Sequence, residues 1–92
     1  PLNGAIVTAL SPSVANELGI SYTDGGVVIL GITTGTPASL TGLQPGDVVI
    51  SINGAAVKTV EQLTRNLGRS KQGWEITFTR GSRTQTLVVR NW

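Results

Sequence analysis

The chain holds 92 residues, 39% of them hydrophobic and 13% charged, with a formal net charge of +2. That length fits one domain, and a charged share about half the usual ~25% excludes a disordered acidic tail or a basic nucleic-acid arm. There is no Cys and no His, which excludes a disulfide scaffold, thiolate catalysis, a Ser-His-Asp triad and zinc sites built on sulfur or imidazole.

The five carboxylates, Glu17, Asp24, Asp47, Glu61 and Glu75, are scattered without the paired spacing that acid–base chemistry needs. Composition therefore points to a domain that binds something rather than transforming it, with no cofactor and no metal expected. All seven basic residues lie at or after Lys58, against two carboxylates in the same stretch, whereas residues 1–57 carry three carboxylates and no cation. The basic residues read as solvated faces and turn tips. A basic half can also steer anionic groups such as peptide carboxylates. Nucleic acid is not expected as a partner, because the cations are not interleaved with a stacking set of aromatics. The chain begins at Pro1 and contains no Met, so it is expected to be a fragment of a larger protein, residues 1–92 forming a single domain. No apolar run reaches the ~18 residues of a membrane span, so no membrane insertion is expected, and no signal peptide is recognisable.

In chain order, Gly4 opens the apolar run Ala5–Leu10, which reads as a strand. Ser11 can cap a helix with Pro12 at its first position, predicting Pro12–Leu18, closed by Gly19. Residues 22–26 are a loop. Val27–Ile32 is a continuous apolar run suited to a strand buried on both faces. Pro37–Leu40 can form one or two helical turns, ended by Gly42. The turn Leu43–Asp47 leads into a strand over Val48–Ile52, and Asp47 can bond to backbone amides of that turn. Asn53-Gly54 is a hairpin signal, with Ala55–Val57 as the return strand. Thr59 and Gln62 form a capping box for a helix running to about Leu67, with Gly68 as a left-handed stop. Trp74–Thr79 alternates with Trp74, Ile76 and Phe78 on the core side. Arg80–Arg83 turns the chain, neither arginine having a role beyond the turn. Thr84–Arg90 is the last strand.

The elements sum to an α+β, mainly β fold: a partly open sandwich or barrel of about six strands, capped by one main helix and one or two short ones. A sheet that does not close has margins, and a margin is either blocked or used. Ala5–Leu10 carries no Lys, Pro or Glu to guard it. Beside the mixed apolar and small polar helix Thr59–Leu67 it could form a groove that takes an extended peptide. Periodicity alone equally allows an interior strand paired on both sides.

The segments Gly26-Val27-Val28-Ile29, Thr34-Gly35-Thr36-Pro37-Ala38 and Gly42-Leu43-Gln44-Pro45-Gly46-Asp47-Val48-Val49-Ile50-Ser51-Ile52-Asn53-Gly54 together resemble a PDZ domain. More narrowly they resemble the permuted PDZ domains of bacterial HtrA proteases of the DegP/DegQ type, the ending being similar to a C-terminal PDZ domain. The resemblance implies that Leu2, Asn3, Gly4 and Ala5 form the loop whose amides take a ligand's terminal carboxylate. Asn3 departs from the apolar residue or Gly common there, and Ala5 is smaller than the usual large apolar residue. It implies that Ala5, Ile6, Val7 and Thr8 form the strand that pairs with the ligand, and that Ala5, Val7 and Leu67 line the pocket for its last side chain. Val60 would read the third residue from the ligand's end and favour an apolar one, with Thr64 a turn further on. The implied partners are unfolded or C-terminal polypeptide segments, and other subunits or PDZ domains of a parent oligomer. The implied setting is a periplasmic serine protease–chaperone of protein quality control. The alternative is a module for assembling oligomeric cages, with a degenerate groove.

Overall fold

The computed structural model describes residues 4–20, 25–68, 73–81 and 83–90. Local chemistry accounts for most of its elements. Ser11 Oγ accepts the Val14 N–H at 3.2 Å, and Gly19 turns left-handed at φ 67°, so α1 spans Pro12–Leu18 as the caps require. Strand β1 is Ala5–Ala9 and β2 is Val27–Ile32, followed by a 3-10 turn at Pro37–Leu40. Strand β3 (Val48–Ile52) meets the short β4 (Ala55–Ala56) through Asn53 at φ 51° and Gly54 at φ 81°, the two positive angles of a type I′ hairpin. Helix α2 is Val60–Gly68, and β5 (Gly73–Arg80) and β6 (Arg83–Arg90) complete the chain.

Two helix ends depart from expectation. Thr59 Oγ1 accepts the Gln62 N–H at 3.1 Å, as a capping box predicts, but Gln62 Oε1 accepts from Lys58 N–H at 2.7 Å, one residue earlier than the usual return bond. Gly68 is the last helical residue and does not adopt the left-handed angle of a stop.

The strands form one antiparallel sheet in the order β1-β2-β3-β5-β6, with β4 paired to β3. The sheet is not closed: among the described residues β1 and β6 are its margins. Strand β3 changes partner along its length. Val48 and Val49 pair with β2, whereas Ser51 and Ile52 pair with β4. Ile50 is the bulged residue between them, and its carbonyl accepts the Val57 N–H at 3.0 Å.

Apolar side chains bury on both faces. On one, Val27, Ile29, Val49, Ile52, Val57, Leu63, Trp74, Ile76 and Phe78 make the main core with Leu43. On the other, Leu10, Ala15, Val28 and Val48 pack with Val14, Ile20 and Ile50, so α1 covers that face. The expected two-faced burial of Val27–Ile32 holds only for Val27–Ile29; Leu30 is 43% exposed. Beyond Val28, β2 no longer pairs with β3, and a bulge at Leu30 breaks its register with β1.

Arg80 has a role the sequence reading did not give it. Its Nε donates to Asp47 Oδ1 at 2.8 Å and its Nη2 to Asp47 Oδ2 at 2.7 Å and to the Gly42 carbonyl at 3.1 Å. Asp47 Oδ2 also accepts the Gln44 N–H at 2.8 Å, as expected of an acid in that turn. The turn is then tied to the sheet, because Gly46 N–H donates to the Ile29 carbonyl and Ile29 N–H to the Asp47 carbonyl.

Candidate functional site

Strand β1 pairs with β2 and with no other strand among the described residues, which decides between the two readings its sequence allowed. Two bonds that bracket the β1–β2 ladder set its phase: Thr33 N–H to the Gly4 carbonyl at 2.9 Å, and Leu10 N–H to the Gly26 carbonyl at 3.0 Å. Antiparallel backbone groups alternate in direction. Ile6 and Thr8 therefore aim N–H and C=O at β2, and Ala5, Val7 and Ala9 aim theirs at the open margin.

Side chains alternate as well. Val7 packs against the main core, as do Ile32 and Leu67. Ile6 lies on the opposite face, 61% exposed. Helix α2 lies against β1 and β3. It turns Leu63 and Asn66 inward, leaves Val60 and Thr64 exposed and keeps Leu67 half-buried. Val60, Thr64 and Leu67 follow helical spacing along one stripe. The Thr64 hydroxyl donates to the Val60 carbonyl at 3.1 Å, so this polar side chain folds back on its own helix. At the C-terminal end the Trp74 indole N–H donates to the Leu67 carbonyl at 2.7 Å, which fixes the last turn of α2 to β5.

The structure thus sets β1 beside α2, with Val7 of the strand and Leu67 of the helix packed on the same core, while Ile6 and Thr8 turn their backbone groups to β2. Leu2 and Asn3, the outer part of the expected carboxylate loop, lie outside the described residues. Gly4 carries φ 97°, an angle open to glycine and resisted by other residues. Ile32 was missed by sequence reasoning. It stands opposite Ala5 in the ladder and packs on the same core as Val7 and Leu67; its position two residues beyond Leu30 in an apolar run gave no separate signal. Among the described residues no group of three or more acidic side chains could hold a metal ion, and no helix is long and apolar enough to cross a membrane.

The family model described as PDZ domain matches residues 7–90. The chain belongs to the PDZ domain family. It is 30% identical over 98% of its length to the putative serine protease HhoB of Synechocystis sp., of which it spans 24%. It is 37% identical over 73% of its length to the periplasmic serine endoprotease DegP of Escherichia coli K12, of which it spans 14%. The solved HtrA-type protease AlgW with a decapeptide superposes on 95% of this PDZ domain and 27% of its own chain, at 30% identity and a TM-score of 0.76. The PDZ domain thus spans between 14% and 27% of these relatives, and the part it matches is their non-catalytic PDZ region.

Proposed function

We propose that this PDZ domain is the peptide-recognition module of an envelope HtrA-type protease–chaperone, and that it binds apolar C-terminal or extended segments of unfolded proteins by adding them as a strand to β1. The observation that carries this reading is the phase of β1: Ala5 and Val7 present backbone donors and acceptors at a margin that, among the described residues, no strand pairs and α2 flanks. Main-chain bonds supply affinity and side-chain pockets supply selectivity in such sites. Residues 1–92 form one domain of a longer serine protease, a reading supported by the names and lengths of HhoB and DegP. The periplasmic setting rests on DegP in the same way.

The loop Leu2, Asn3, Gly4 and Ala5 takes the ligand carboxylate on the backbone amides of Asn3, Gly4 and Ala5, a small anion nest. Val7, Leu67 and Ile32 line the pocket for the last side chain. Val60 stands at the third residue from the ligand's end and favours an apolar one, with Thr64 beyond it. A single short peptide binds at roughly micromolar Kd or weaker, because ordering it offsets much of the gain, and an oligomeric parent compensates by avidity. Titration with a peptide of about six residues ending in Val or Phe tests the assignment. Amide resonances of residues 3–7 and 60–67 are expected to shift; shifts confined to other regions would remove the groove from consideration.

The assembly reading has its own support in β6, the opposite margin, where Val88 is 58% exposed. Deleting the domain from its parent separates the two: loss of large oligomers with small-substrate cleavage intact supports assembly.

A further inference from the structure

The turn after β2 abuts Gly4. A Cβ built on Gly4 would overlap the Oγ1, Cβ and Cγ2 atoms of Thr36, so the Thr36 side chain lies directly against the Gly4 α-carbon. Thr36 is itself fixed on both sides. Its hydroxyl donates to the Thr33 carbonyl at 2.6 Å, and its carbonyl accepts the Ser39 N–H at 3.0 Å and the Ser39 hydroxyl at 2.6 Å. Thr33 closes the ring by donating its N–H to the Gly4 carbonyl at 2.9 Å. Gly4 is therefore held from two directions: by a hydrogen bond to its carbonyl and by a packed side chain on its α-carbon. That side chain is half-buried and belongs to none of the groove-lining residues.

A loop that binds an anion through backbone amides works only if those amides are already aligned. Gly4, at φ 97°, is the described residue of that loop held this way, and glycine left to itself is the least restrained of all residues. We propose that Thr36 is a positioning residue for the peptide carboxylate: its side chain wedges against Gly4 and holds the Gly4–Ala5 backbone in the arrangement that offers its amides to the ligand. This rests on the groove reading above, so the test separates the two.

The affinities of the 92-residue chain for one apolar peptide, as the free acid and as the C-terminal carboxamide, are compared in wild type, Thr36→Ala and Thr36→Val. Charged hydrogen bonds make the wild type prefer the acid by about tenfold or more. Thr36→Ala is expected to bring the acid/amide ratio close to one with amide affinity unchanged. Thr36→Val, which keeps the wedge but not the hydroxyl, should retain most of the preference and guards against a folding defect in the first variant. An equal fall for acid and amide, or an unchanged ratio in Thr36→Ala, overturns the proposal. If the wild type shows no preference for the acid, the carboxylate reading is what fails. The strut is then judged by the Gly4 amide resonance and its exchange rate: both moving in Thr36→Ala supports it, and both unmoved overturns it.

Discussion

Arg80 grips the buried carboxylate of Asp47 at two points, Nε to Oδ1 at 2.8 Å and Nη2 to Oδ2 at 2.7 Å, across 33 positions of sequence. Asp47 is 1% exposed, and its second oxygen also accepts the Gln44 N–H, so one acid serves the turn and the end of β5 together. The guanidinium sits 5.3 Å from the Phe78 ring centroid, within cation–π range. Replacing Asp47 by Ala strands the Gln44 N–H and releases Arg80. The loss is expected to be about 1–3 kcal/mol, and a domain of this size drops about 4–8 °C in Tm for each kcal/mol. Thermal unfolding of Asp47→Ala beside Arg83→Gln, an exposed control, checks this; equal Tm values for the two variants would deny the clasp its role.

The same pair fixes a pH expectation. Hydrogen bonding to Asp47 raises the Arg80 pKa above the ordinary guanidinium range, with burial opposing and the Asp47 charge assisting. A group whose folded pKa is raised contributes stability that is complete below its unfolded value and is lost only as pH climbs through the folded one. For Arg80 that loss falls in strong alkali. With no His and no Cys in the chain, no side chain has an ordinary pKa between about pH 5 and 8. Tm and peptide affinity are expected to stay level from about pH 6 to 8, and a drop of several degrees within that window would contradict the assignment.

The phase of β1 yields a sharper test. Proline lacks an N–H and its ring occupies the space where one would point. At Val7 that space is the open margin, and edge strands accept proline there. At Thr8 it is the β1–β2 ladder. Val7→Pro is expected to stay folded with a modest fall in Tm but to lose most peptide binding; Thr8→Pro is expected to unfold β1 from the sheet. Circular dichroism and peptide titration of both variants decide. If Thr8→Pro folds and binds while Val7→Pro does not fold, the strand is turned the other way.

What the sequence made legible was what a few adjacent residues decide. Ser11, Pro12 and Gly19 set both ends of α1, Asn53-Gly54 set the β3–β4 hairpin, and the alternation of Trp74, Ile76 and Phe78 set the buried side of β5. What stayed hidden depends on partners distant in the chain. Whether Ala5–Ala9 is a margin or an interior strand is a question of which strands lie beside it, and its own periodicity is the same in both cases. The Leu30 bulge, the Arg80–Asp47 pair and the packing of Thr36 on Gly4 each need a contact that no local pattern encodes. Gly68 shows the limit of even a strong local signal, since glycine permits a left-handed stop without enforcing it. The candidate site was therefore readable as a set of residue types through its family resemblance, whereas which of Ala5 to Thr8 turn their backbone to the open margin was readable only from the ladder.

Selectivity at the third residue from the ligand's end should follow Val60. Its side chain is exposed at the start of α2, with nothing polar of its own to offer a ligand hydroxyl. The PDZ resemblance implies that members choosing Ser or Thr at that ligand position carry His at the helix position Val60 is proposed to match. Val60→His is expected to raise affinity for a peptide with Thr there, relative to one with Val, by about five- to tenfold, the value of one net hydrogen bond. Because Val60 is not part of either core cluster, Tm should change little. Isothermal titration with the two peptides reads the ratio, and an unchanged ratio would place the ligand's third residue elsewhere.

The Trp74–Leu67 bond makes the groove helix reportable. Trp74 is 7% exposed and its indole donates to the carbonyl of the residue proposed to line the terminal pocket. Ligand entry that shifts Leu67 must alter that hydrogen bond, and indole emission responds to it. In a Trp92→Phe background, which leaves Trp74 as the single tryptophan, an apolar-ended peptide is expected to shift the emission with the same Kd seen by calorimetry, and an Asp-ended peptide is expected to leave it unchanged. Trp74→Phe removes the donor and leaves the Leu67 carbonyl without it, at a cost of about 1 kcal/mol. The end of α2 then loosens, so apolar-ended peptides should bind a few-fold more weakly while peptides differing only at the third residue from the end keep their relative order. A Trp74→Phe variant that alters that order and spares the terminal pocket would separate Trp74 from Leu67 and reassign the floor of the groove.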